Sequence, residues 1–226
     1  MENKLALFPL NTVLVPGAAL RLHVFEERYK EMIGTCIERS EAFGVVFERR
    51  GRETGEDLEP SPVGTAALIR ELAKLPQGRM FIVSRGIARF RVDEIAGRQP
   101  YLLARVSYLA EPLGAQRDIP VLKDVARERF DDYLHALLAI IGGDIDRVEL
   151  PEDAAAASYL VADALQVPPV VKQRLLETQT ASDRLRLEIA LMEAETQRLR
   201  AIKSGEAPPD PSLTPSTPFD VRFSIN

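Results

Sequence analysis

A phosphate-binding loop of the Walker type needs a lysine directly after a glycine, so that the ammonium reaches the β- and γ-phosphates from a backbone cradle. The lysines of this chain are Lys4, Lys30, Lys74, Lys123, Lys172 and Lys203, and each follows a residue other than glycine. No Gly-x-Ser-x-Gly turn holds up a nucleophilic serine. His23 and His135 are the only histidines, and neither stands at a familiar metal-ligand spacing. Cys36 is the single cysteine; it falls within an apolar helical stripe, where a thiol acts as a small hydrophobe rather than a nucleophile. The acidic pairs Asp131-Asp132 and Asp144/Asp146 read as solvated helix ends. No catalytic, cofactor-binding or metal-ligating residue is therefore expected, and the chain is not expected to be an enzyme.

Arginine is the charge feature that remains. Arg79, Arg85, Arg89, Arg91, Arg98 and Arg105 crowd a short stretch. They could form an anion- or RNA-binding surface. Asp93 and Glu94 interrupt them, and no aromatic residue alternates on the same face, so a polar outer sheet face is the favoured reading.

The elements that would carry these residues change character along the chain. Leu20, Leu22 and Val24 alternate with Arg21 and His23, the period of a half-buried strand. Phe43–Phe47, Thr65–Leu72, Arg79–Arg85, the alternation Ala88/Phe90/Val92 and Leu102–Leu109 supply further strands. Leu75-Pro76-Gln77-Gly78 has the chemistry of a turn, with proline fixing φ early and glycine permitting positive φ late. One helix interrupts the strands: Phe25, Tyr29, Met32, Ile33, Cys36 and Ile37 form a single apolar stripe. About six short strands with one apolar face predict a small twisted barrel or closed sheet.

Beyond about residue 115 the apolar period becomes helical. Phe130, Leu134, Leu137, Leu138 and Ile141 form a stripe closed by Gly142-Gly143. Pro151-Glu152-Asp153 opens a second helix, Pro168-Pro169 starts a third, and Thr180–Asp183 has capping-box spacing before a fourth. Residues 49–62 and 204–218 are expected to be loose, the latter because of Pro208, Pro209, Pro211, Pro215 and Pro218. The expected division is a β domain over 1–112, a helical part over 113–203 and a Pro-rich tail over 204–226.

Bulk composition agrees with an ordinary folded protein: 46% hydrophobic and 28% charged residues. Residues 1–105 hold 16 Lys+Arg against 14 Asp+Glu, and residues 106–226 hold 13 against 20. The acidic balance argues against a general nucleic-acid binder, which needs a concentrated basic face. There is neither a run of apolar residues long enough to span a membrane nor a secretory signal at the start, and one cysteine cannot form an internal disulfide. A cytoplasmic protein without membrane attachment is the expectation.

Several motifs in order resemble a known family. Leu7-Phe-Pro-Leu-Asn-Thr-Val-Leu-Val-Pro-Gly17 resembles the opening of the Lon protease N-terminal domain. His23-Val-Phe-Glu-Glu-Arg-Tyr29 is similar to its His-x-Phe-Glu-x-Arg-Tyr signature. Leu75-Pro-Gln-Gly-Arg79, Arg85-Gly86 with Arg89-Phe-Arg-Val92, and Pro100-Tyr-Leu102 resemble its central hairpin and last strand. Ala162-Asp-Ala-Leu165 and Lys172-Gln-Arg-Leu-Leu-Glu177 are similar to its helical part. The resemblance runs over about residues 5–203 and implies an α+β fold: a PUA-like β pseudo-barrel with one inserted helix, followed by a C-terminal helical bundle.

It also implies a role. In Lon proteases this region recognises protein substrates and supports assembly. The chain has 226 residues, with no AAA+ ATPase or Ser–Lys protease sequence among them. A non-catalytic substrate-recognition or adaptor protein is thus the expectation. Its partners would be unfolded or partly folded polypeptides, with a protease or chaperone downstream. An RNA-binding PUA-like module is the alternative. Phe25, Glu27, Arg28 and Tyr29 of the signature are the candidate protein-binding residues. Their plainer role, which weighs more, is structural: Phe25 and Tyr29 anchoring the first helix to the sheet, and Arg28 fixing it by ion pairing. The client surface is expected to be apolar and to lie on the β domain or where it meets the helices, near residues 100–120.

Overall fold

The computed structural model describes residues 4–48, 60–143 and 148–206. Of the segments expected to be loose, 49–62 and 204–218, residues 49–59 and 207–218 lie outside the described residues, as does the Asp144/Asp146 pair, while Ser204 is the last residue of a helix. Pro60 forms an isolated bridge with Glu48, and Ser61 is buried. The chain divides into two units: residues 1–110 with 166–177, and residues 111–165 with 178–226.

The first unit is built on six strands: β1 (Lys4–Leu10), β2 (Ala19–Val24), β3 (Phe43–Phe47), β4 (Val63–Lys74), β5 (Met80–Gly97) and β6 (Leu102–Tyr108). They pair in the order β2-β5-β4-β3-β1-β6, and β5 also pairs with β6. Five strands therefore form a closed circuit, with β2 attached outside it on β5. β1 and β3 run parallel; the other pairs are antiparallel. Leu5, Leu7, Val46, Ala66, Phe90, Ala104 and Val106 pack together as one core. Phe90 is fully buried, and a Cβ on Gly44 or Gly64 would come within 2.7 Å of its Cζ. The two glycines make room for the largest side chain of that core.

The opening motif works through its turn. Gly17 has φ +85°, which only glycine adopts without strain. Its N–H donates to Gly86 O at 2.9 Å, and Gly86 N–H donates to Ala18 O at 3.0 Å. A Cβ on Gly86 would lie 2.5 Å from Val15 O, so the 15–18 turn sits directly on the β5 backbone. The 75–79 turn closes the β4–β5 hairpin as its sequence predicts, with Gly78 at φ +69° and Gln77 also left-handed at φ +63°.

Helix α1 (Glu27–Arg39) joins β2 to β3 and buries Tyr29, Met32, Ile33 and Cys36. Tyr29 stacks on Phe8 of β1, ring centroids 4.1 Å apart and 12° from parallel. Burying such a ring stabilises the contact by roughly 1.5–3 kcal/mol. The helix ends at Ser40, whose left-handed backbone returns its N–H to Cys36 O and Ile37 O. Burial pushes the Cys36 thiol up to about 11.

Helix α4 (Pro169–Glu177) also belongs to this first unit, although it falls inside the stretch read from sequence as helical domain. The reason is polar. Gln173 Nε2 donates to Val63 O at 3.0 Å, and Arg89 Nη1 donates to Leu176 O at 2.7 Å. A second Arg89 bond reaches Ala110 O at 3.2 Å. Arg89 is 2% exposed, so its placement on a polar outer face is corrected. Periodicity gave it an outward direction; the carbonyls it satisfies are distant in sequence and invisible to periodicity.

The second unit contains α2 (Ile119–Ile141), α3 (Ala154–Ala164) and α5 (Ala181–Ser204). Arg129 pairs with Glu193 at 2.8 Å and Arg186 with Asp118, so α2 and α5 run in the same direction side by side. The sequence signals at the helix ends operate as read: Asp153 accepts from Ala156 N, Thr180 accepts from Asp183 N, and Gly142 closes α2. Ala126, Phe130, Tyr133 and Leu137 are the buried face of α2. Ala181 N–H and Ser182 N–H, which open α5, donate to Pro112 O and Leu113 O.

At the centre of this unit lies a charged network that the apolar periodicity does not announce. Arg184 has no exposed surface. Its guanidinium stacks 3.8 Å over Tyr159, donates to Ser158 Oγ at 2.5 Å and Thr178 O at 3.3 Å, and pairs with Glu111 at 3.5 Å. Tyr159 OH also donates to Glu111, at 2.7 Å. Glu188, one turn further along α5, is fully buried and neither carboxylate oxygen has a hydrogen-bond partner among the described residues. Burial holds its carboxyl well above the usual glutamate range, with the Arg184 charge pulling the other way. No helix among the described residues is long and apolar enough to cross a membrane.

Candidate functional site

The signature His23–Tyr29 spans the end of β2 and the start of α1, and its residues divide by direction. Tyr29 is buried on Phe8, and Arg28 lies over the Tyr29 ring at 4.5 Å while pairing with Glu26 at 2.8 Å. Glu27 pairs with Lys30 at 2.5 Å, and Lys30 Nζ donates to Gln77 O at 3.2 Å. These contacts tie the first turn of α1 to the β4–β5 turn. Phe25 behaves otherwise. Glu26 is the N-cap, so the helix begins at Glu27 and the i, i+4 spacing to Tyr29 has no helical meaning at Phe25. Its ring is 44% exposed and lies 5.7 Å from that of His23. Phe25 therefore stands outside the buried stripe of α1, which packs through Tyr29, Met32, Ile33 and Cys36.

Phe25 and His23 border an outward sheet face. β5 presents Phe81, Val83, Arg85 and Ile87 along one column, with Phe81 40% and Ile87 41% exposed. β2 places His23 opposite Phe81, Arg21 opposite Val83 and Ala19 opposite Arg85. β4 places Ala73 opposite Phe81, Glu71 opposite Val83 and Leu68 opposite Arg85. On the other side of these strands Leu20, Leu22, Val24 and Ile82 are buried. The strict alternation of β2 therefore sends three apolar side chains inward and sets His23 beside the aromatic ring of its neighbour strand.

This face contains two exposed phenylalanines, a histidine, aliphatic carbons and two guanidiniums against one carboxylate. It offers contact area with few rotamers to freeze, and no nucleophile–base pair. It differs in place from the expected surface near residues 100–120, where the exposed apolar residues are Tyr108 and Leu113. The expectation that no aromatic residue alternates on the face of the arginines is corrected here: Phe81 shares the outward column of β5 with Arg85. The cross-strand register with His23 is what identifies it.

Among the described residues, the others singled out from the sequence lie apart from this face. Arg79 Nε donates to Pro76 O and Arg105 pairs with Glu94. His135 is exposed and meets Asp131 O at 2.7 Å. It lines a shallow cleft of ≈ 220 Å³ together with Asp132, Leu199, Arg200 and Lys203. Among the described residues no group of three or more His, Cys, Asp or Glu could hold a metal ion.

Comparison with known proteins gives a consistent picture. The family model described as the ATP-dependent protease La (LON) substrate-binding domain matches residues 4–194. A Lon protease of Paraburkholderia phytofirmans is 30% identical over 193 residues, covering 81% of this chain and 23% of the relative. A Lon protease of Anaeromyxobacter dehalogenans is 28% identical over 204 residues, covering 87% of this chain and 24% of the relative. The chain thus spans about a quarter of the length of the curated relatives it matches. Among solved structures, a Lon N-terminal domain protein from Xanthomonas campestris is similar with TM-score 0.61 and 27% identity, covering 83% of this chain and 98% of that one. The N-terminal domain of a Mycobacterium avium complex Lon protease has TM-score 0.62 at 18% identity, covering 84% and 98%, a likeness of fold.

Proposed function

Because the chain belongs to the family of Lon substrate-binding domains, we propose that it binds unfolded or partly folded polypeptides through the outward β2–β5–β4 face bordered by Phe25. The observation that carries this reading is the juxtaposition of exposed Phe25, His23 and Phe81. Exposed aromatics on a rigid sheet give side-chain-tolerant contact with many sequences. In this reading the fold is the PUA-like pseudo-barrel with a helical bundle after it. The chain selects clients in the cytoplasm, and a protease or chaperone acts on them. The signature is divided in labour: Glu27, Arg28 and Tyr29 hold the platform, and Phe25 touches the client. No cofactor takes part.

A second reading has its own support. Arg21 and Arg85 share the face with His23 and Phe81, and cations beside aromatics suit single-stranded RNA. Titration of a fluorescent unfolded polypeptide and of a single-stranded RNA, each at low and high salt, separates the two. Polypeptide binding that changes little with salt, without RNA binding, is the expected result. Phosphate recognition weakens steeply with salt; tight, salt-sensitive RNA binding with no polypeptide signal would overturn the proposal in favour of RNA.

A further inference from the structure

The outward face has a chemical polarity, and it lies in one residue. Arg85 is exposed, sits in the β5 column between Val83 and Ile87, and is in no ion pair among the described residues. Its cross-strand neighbours are Ala19 and Leu68, both uncharged. The carboxylate of the face, Glu71, stands one step along, opposite Val83 and across from Arg21. A guanidinium among apolar neighbours is still fully hydrated when the face is bare. When an extended chain covers Ala19, Leu68 and Ile87, that hydration is lost and must be replaced by an acceptor.

We propose that Arg85 makes this face select extended segments carrying an aspartate or glutamate about four residues from an apolar anchor. The spacing follows from the column: Phe81 takes the anchor, and Arg85 lies four residues along the same strand, about 14 Å away at a strand rise of about 3.4 Å. A segment lying along β5 meets both only if it is extended. A lysine at the second position faces the guanidinium with like charge. A glutamine there supplies an acceptor without charge, so it ranks between the two.

The inference rests on the polypeptide-binding reading, and the test keeps the two apart. Three fluorescent unstructured peptides share an apolar anchor and differ in having Glu, Gln or Lys four residues away. They are titrated against the whole chain, and against variants Arg85→Gln, Arg85→Glu and Phe81→Ser, with circular dichroism to confirm the fold. The Glu peptide is expected to bind about two- to five-fold tighter than the Gln peptide, the range an exposed ion pair supplies. Arg85→Gln should erase that difference, and Arg85→Glu should turn the preference toward the Lys peptide. Equal affinities for the three peptides, all lost in Phe81→Ser, would overturn the role of Arg85 and leave the polypeptide-binding reading standing. No binding of any peptide would overturn both.

Discussion

The Arg89 guanidinium donates to the carbonyl oxygen of Leu176 at 2.7 Å from a position almost without solvent exposure. The two residues are 87 positions apart, and the bond makes α4 part of the sheet unit rather than of the helical one. Arg89→Met should cost about 2–4 kcal/mol, since it removes charged hydrogen bonds and leaves buried carbonyls unpaired. A chain ending at residue 112, the boundary suggested by sequence, should lack a cooperative urea transition because it lacks α4. Two-state unfolding of that shorter chain with the stability of the whole would refute the assignment.

Glu188 predicts a pH dependence. Its folded-state pKa is raised by burial, so the folded chain holds a proton there that the unfolded chain releases. The stabilisation is fully present below the ordinary glutamate range and is lost as pH rises toward the folded value. Glu188→Gln removes this dependence. The variant should match the parent near pH 4 and exceed it at pH 8 in chemical denaturation. Parallel pH profiles for the two proteins would show that Glu188 does not titrate with folding.

Two glycines should respond to alanine in opposite directions. Gly34 lies inside α1, and a Cβ added there would meet nothing within 4 Å, so Gly34→Ala should stabilise by up to about 1 kcal/mol through helix propensity. Gly86→Ala places a carbon 2.5 Å from Val15 O and 3.0 Å from Thr65 Cγ2. Backbone must move, at a cost of about 1–3 kcal/mol. Thermal midpoints of the two variants measure both signs at once.

Cys36 should be inert in the folded chain. Its thiol is buried and pushed up to about 11, so little thiolate exists at pH 8. Reaction with a thiol reagent should be slow natively and fast in denaturant. Equal rates in both conditions would place the residue at the surface.

Much of this architecture is legible in residue order because it is local. The β2 alternation, the α1 stripe from Tyr29 to Cys36, the 75–79 turn, and the caps at Asp153 and Thr180 each depend on residues within a few positions of one another. What escaped depends on distant partners. Arg89, Arg184 and Glu188 look like solvated charges in any window, and only the carbonyls, hydroxyl and ring brought to the two arginines reveal otherwise. The site shows the same limit. The His23–Tyr29 motif is visible, yet the direction of Phe25 turns on where α1 begins, and its partner surface turns on the register of His23 with Phe81.

The most direct test of polypeptide recognition by the outward face is the affinity of the whole chain and of a Phe25→Ser/Phe81→Ser variant for one fluorescent unfolded polypeptide. Both phenylalanines are more than a third exposed, so the double substitution should leave the urea midpoint close to that of the parent. The affinity should fall at least about ten-fold, as expected when two aromatic anchors are lost from an interface. An unchanged affinity in the correctly folded variant would rule out binding at this face and move the client surface elsewhere on the chain.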